Sequence, residues 1–107
     1  MTFKPFFVHF NRQPTKLDNS RLRHIPRGYT AFIQPSALER HVQVQVAFCS
    51  AKDQFAKREG RSYAQQAEIV AINPRELPSL LAACENACYG KEWTPESKYF
   101  YTLKYVV

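Results

Sequence analysis

Glycine is scarce in this chain, and its three occurrences, Gly28, Gly60 and Gly90, lie too far apart to build a phosphate-cradling loop. That removes the nucleotide enzymes that depend on such a loop. Cysteine is sparse and odd in number: Cys49, Cys84 and Cys88 show no paired spacing, which argues against a disulfide framework and for a reducing compartment, the cytoplasm. No stretch approaches the roughly 20 apolar residues that cross a bilayer, so no membrane partner is expected. The opening run MTFKPFFVHF contains Pro5 and His9 and offers no small-residue cleavage site, so it does not read as a signal peptide. Internal repeats and low-complexity tracts are missing as well.

Acidic residues are short in one half only. Residues 1–61 hold 11 Lys and Arg against 4 Asp and Glu, whereas residues 62–107 hold 4 against 5, so the net charge of +6 belongs to the first half. Such asymmetry predicts a positive face suited to phosphates or to an acidic protein surface, although a solvated basic face would give the same composition. With 107 residues, 45% of them hydrophobic and 14% aromatic, the chain has the size and apolar content of a single domain over residues 1–107.

The most legible stretch is His41 to Arg61, HVQVQVAFCSAKDQFAKREGR. Val42, Val44, Val46 and Phe48 alternate with Gln43, Gln45, Ala47 and Cys49, the period-two pattern of a strand buried on one face. Ser50 stands at an N-cap position with Asp53 three residues on, predicting a helix from Ala51. Gly60 reads either as the end of that helix or, preferred, as a close-packing contact within it. In the continued helix Phe55, Ala56, Tyr63, Ala64 and Ala67 make the apolar stripe.

Around this centre, Phe3 to Phe10 reads as an edge or near-edge strand, because Pro5 cannot donate to a ladder. A basic loop over 11–28 carries Arg12, Lys16, Arg21, Arg23 and Arg27 against a single Asp18. Tyr29 to Gln34 is a short strand, and the turn over 34–39 lets it pair antiparallel with the central one. Glu68 to Ile72 reads as a fourth strand, set parallel to the third by a right-handed crossover. A turn over 73–77 precedes a helix from about Pro78, whose stripe is Leu77, Leu80, Leu81, Cys84 and Cys88, with Gly90 at its C-terminal cap. Residues 91–98 form a connecting loop, and Tyr99 to Val107 alternates as a last strand. The expectation is an α+β two-layer sandwich in the order β-β-β-α-β-α-β, with a mixed sheet of about five strands and both helices on one face.

Chemistry is thinly signposted. Cys84 and Cys88, four apart on a helix, could share a metal with Cys49 or a histidine, but core packing accounts for them better. His9, His24 and His41 lie in no nucleophile signature, and Ser50 is explained by capping. Catalytic, metal and cofactor assignments are therefore all none, and the chain reads as no enzyme. Arg12, Lys16, Arg21, Arg23 and Arg27 in the loop, with Lys52, Lys57, Arg58 and Arg61 on the helix, are the residues expected to bind a partner or nucleic acid. No helix-turn-helix, zinc-finger or RNA-recognition signature accompanies them. The terminal YFYTLKYVV, after Trp93, supplies aromatics suited to a protein interface or a homodimer seam.

The run Phe48 to Arg61, FCSAKDQFAKREGR, resembles the FCSxKDQFx(K/R)xxGR signature of small phage and plasmid proteins of unassigned function. Phe48, Cys49, Ser50, Lys52, Asp53, Gln54, Phe55, Gly60 and Arg61 match; Ala51 stands where Pro is common and Glu59 where an apolar residue is usual. The resemblance implies a setting, a mobile element in the bacterial cytoplasm, and not an activity; small proteins of such elements often regulate genes or block host defence complexes without catalysis. Together with the basic loop and helix, that setting leads to the expectation of a non-enzymatic protein that binds and inhibits a host nucleic-acid-processing or defence complex, of the anti-CRISPR or anti-restriction type. The partner would be a host protein or ribonucleoprotein. A direct DNA- or RNA-binding regulator is the alternative.

Overall fold

The computed structural model describes residues 3–12, 26–37, 40–49 and 56–89. Its architecture is α+β, with described elements in the order β-β-β-α-β-α. Strands β1 (Phe6–Asn11), β2 (Gly28–Pro35), β3 (Val42–Cys49) and β4 (Val70–Ile72) form one sheet in chain order, with every neighbouring pair antiparallel. The helices are α1 (Lys57–Gln66) and α2 (Leu77–Cys88). The expected last strand, Tyr99 to Val107, the loop before it and the Gly90 cap lie outside the described residues.

Alternation along each strand sorts side chains between the two sheet faces. One face carries Val8 and Phe10 of β1, Tyr29, Ala31 and Ile33 of β2, Val42, Val44, Val46 and Phe48 of β3, and Val70 and Ile72 of β4, all in a single hydrophobic cluster. The alternating valines are at most 2% exposed. Burying each one stabilises the fold by about 1.5–3 kcal/mol. Onto this face α2 lays its predicted stripe: Leu80, Cys84 and Cys88 are completely buried, and Leu77 and Leu81 pack at the margin. Pro78 sits in the first turn of α2, where its missing N–H is no loss. Just before it, residues Pro74–Glu76 form a 3-10 turn whose start is fixed by the Arg75 N–H donating to Asn73 Oδ1 at 2.9 Å.

The other face is more polar and belongs to α1. Thr30, Gln45 and Ala47 are buried there, so β3 is covered on both sides rather than one. The two helices thus lie on opposite faces of the sheet, correcting the expected two-layer arrangement. The reason is the Gln43, Gln45, Ala47 side of β3, which looks solvated by composition but satisfies its polar group within the protein. Gln45 Nε2 donates to the carbonyls of Gln65 at 3.1 Å and Ala67 at 2.8 Å, and Gln34 Nε2 donates to Gln45 Oε1 at 3.3 Å.

That anchorage also decides the direction of β4. The end of α1 is held at Gln45, midway along β3, and β4 pairs Val70 with Val44 and Ile72 with Val42. The chain leaves the helix and runs on past β3 without reversing, so β4 is antiparallel, not parallel, and the crossover rule has nothing to act on. Ala56 is extended (φ −126°, ψ 118°), so the helix does not run unbroken from Ala51; its first bond is Gly60 N–H to the Ala56 carbonyl at 2.9 Å. Ser50 and residues 51–55 are outside the described residues. The seam against the sheet is made by Gly60 and Ala64, while Tyr63 is 64% exposed. The expected stripe overweighted bulk, because close approach to Thr30 admits only the smallest side chains.

Candidate interaction surface

Three of the predicted cations come together on α1. Lys57 and Arg58 open the helix, Arg61 follows one turn later, and all three are exposed. Ala56 provides no side-chain cap, and the last turn holds no basic residue. Positive side chains at the positive end of a helix dipole are each unfavourable by about 0.3–1 kcal/mol, offset here only in part by Glu59. A segment selected only for helix stability would place them at the other end. Their placement concentrates positive potential at one point of the surface.

The helix period segregates these charges. Lys57 and Arg61, four apart, share one flank, and Arg58 lies outward of them, whereas Glu59 and Tyr63 occupy the opposite flank. The cationic flank faces β1. Burial lowers the pKa of His9 below its ordinary value, and the charges of Lys57 and Arg61 lower it further. His9 Nδ1 is hydrogen bonded to the Thr30 hydroxyl at 2.9 Å, and Thr30 is the residue against which Gly60 packs.

Beside the helix, on the same sheet face, His9 continues into a row of rings. Phe7 stacks on His9 with centroids 6.2 Å apart and planes 14° from parallel. It also stacks on Phe32, its cross-strand partner, at 4.6 Å and 23°. All three rings are partly exposed. The alternation of β1 already places Phe7 and His9 together; that Phe32 joins them depends on a pairing register invisible in the sequence.

The remaining predicted residues divide. Arg12 is only 6% exposed, and its charge opposes the rise of the Cys88 thiol pKa, which puts it on the α2 side of the sheet, away from α1. Its N–H donates to the Arg27 carbonyl at 2.7 Å, and the Arg27 N–H donates to the Cys49 carbonyl at 2.8 Å. Arg27 is partly buried. These two bonds tie both ends of the basic loop to the sheet. Lys16, Arg21, Arg23 and Lys52 lie outside the described residues.

The thiols of Cys84 and Cys88 are built into the core. Burial raises Cys84 strongly, Cys88 to about 12 and Tyr29 strongly, and all three sit in one cluster. Cys49, at the end of β3, is partly exposed. Among the described residues no group of three or more His, Cys, Asp or Glu could hold a metal ion. No described helix is long and apolar enough to cross a membrane. Comparison with protein-family models, with curated proteins and with solved structures gives no match.

Proposed function

We infer that the protein is a non-enzymatic accessory protein of a mobile element, acting in the bacterial cytoplasm by binding and inhibiting a host nucleic-acid-processing or defence complex, of the anti-CRISPR or anti-restriction type. The exposed Lys57, Arg58 and Arg61 cluster carries this reading. It is an exposed positive surface on a helix, offset only in part by Glu59, and the machinery that handles nucleic acid presents phosphates and phosphate-mimicking acidic surfaces. The mobile-element setting follows from the resemblance of Phe48 to Arg61. Inhibition is by occupancy, with Arg58 and Arg61 as electrostatic anchors.

Pull-down from host lysate, with and without nuclease, tests it. The wild-type chain is expected to retain a nucleic-acid-processing complex, and the triple variant Lys57→Gln, Arg58→Gln, Arg61→Gln to lose it while keeping its thermal transition. Equal retention by both would remove the surface from the mechanism. The second reading, a regulator that binds DNA or RNA directly, is favoured by the rings beside the cations. Direct phosphate binding would weaken log-linearly with salt, with a slope of roughly −0.7 to −0.9 per phosphate contacted.

A further inference from the structure

We propose that the cationic flank of α1 and the ring row His9, Phe7 and Phe32 form one binding surface for single-stranded nucleic acid. The inference rests on the reading that the α1 cations face an anionic target, and adds which polyanion that target is.

Both features stand on the same face of the sheet. Gly60 brings α1 down onto Thr30, and Thr30 is hydrogen bonded to His9 at 2.9 Å. The helix therefore runs along the edge of the ring row, with Lys57 and Arg61 close enough to act electrostatically on His9. Phe7 extends the row to Phe32 across the strand pair. Partly exposed phenylalanines here have no polar atoms to satisfy, so what they offer a ligand is apolar ring surface. A polyanion carrying its own flat rings uses both halves: phosphates lie along Lys57, Arg58 and Arg61 while bases pack on the row.

Duplex DNA fits less well. Its bases are already stacked and its outer surface is phosphate, so it would engage the cations and leave Phe7 and Phe32 unused. An acidic protein surface has the same shortcoming, since it matches the charge but has no systematic supply of flat rings. Unpaired bases spaced along a phosphate chain supply both.

Fluorescence anisotropy with the full chain tests this against three ligands: labelled oligothymidylate, the corresponding duplex, and competing inorganic polyphosphate. The single strand should bind most tightly, with polyphosphate a poor competitor. Phe7→Leu and Phe32→Leu should each weaken single-strand binding at least about fivefold while leaving polyphosphate binding unchanged. Arg61→Gln, at an exposed position, should weaken both ligands. As a readout that needs no core variant, ultraviolet crosslinking of 4-thiothymidine strands to the wild-type chain should map to the peptides containing Phe7, His9 or Phe32. Duplex bound as tightly as single strand, or crosslinks confined to other segments, would overturn the proposal. A null result for every nucleic acid together with capture of a host complex through Lys57, Arg58 and Arg61 would also overturn it, while leaving the proposed function standing.

Discussion

Gly60 is where α1 meets the sheet, and the contact leaves no room for one more carbon. A Cβ at that position would collide with Thr30 Oγ1 and stand 3.1 Å from Thr30 Cβ. Thr30 is 1% exposed and held by His9, so it has nowhere to retreat. Gly60→Ala should therefore destabilise the protein by about 1–3 kcal/mol, although Ala is the better helix former by about 1 kcal/mol. In a Thr30→Ala background the penalty should shrink, because the hydroxyl is the first atom struck; a urea double-mutant cycle reads the coupling. At this scale the sequence was half legible. A glycine inside a basic amphipathic stretch signals close packing, but nothing local says that the opposing residue is a threonine 30 positions earlier.

Each helix in this fold is held by a different kind of contact, and only one kind shows in a residue pattern. For α2 it is apolar area: Leu77, Leu80, Leu81, Cys84 and Cys88 fall at helical spacing and all reach the cluster. For α1 it is a side chain of β3 that completes the end of the helix. The Gln45 amide serves two carbonyls that the helix terminus leaves open, with Gln34 on its oxygen. Gln45→Leu keeps the bulk and strands those carbonyls, and should cost about 1–3 kcal/mol. Hydrogen exchange should quicken in the last turn of α1 and in β4 before it does in α2; uniform exchange would show that Gln45 is not the local fastener. Because a buried glutamine is written like an exposed one, both the covered second face of β3 and the antiparallel β4 escaped the period-two reading. The antiparallel pairing of β2 with β3 did not, since a short turn joins the two strands and valine alternation fixes which face of β3 turns inward.

At the scale of the molecule, the shifted titrating groups among the described residues bracket a pH range of high stability. On the alkaline side, burial moves Cys88 from its ordinary 9.0 to about 12 and pushes Cys84 and Tyr29 upward as well. The unfolded chain releases these protons first, so the contribution of these groups to stability is full below about pH 9 and is lost as pH rises from there through the raised folded-state values. On the acid side, the His9 pKa is held below 6.5, so the unfolded chain takes up its proton first and stability falls as pH drops through that value. Urea midpoints across pH should form a dome, with His9→Gln flattening the acid limb. A midpoint that does not fall between pH 8 and 10.5 would refute the alkaline half.

The candidate surface was legible at the same whole-molecule scale only in its charge. Lys57, Arg58 and Arg61 read as exposed cations from composition and spacing. Arg12 read the same way yet is only 6% exposed, and the rings of Phe7 and Phe32 became neighbours only through strand register. One last property follows from the described strands lying side by side in chain order. Each new strand can dock on the one synthesised just before it, so the sheet can grow from β1 as the chain leaves the ribosome. Among the described strands no gap has to be held open for a later one, and little of their unpaired edge is exposed for long to other chains.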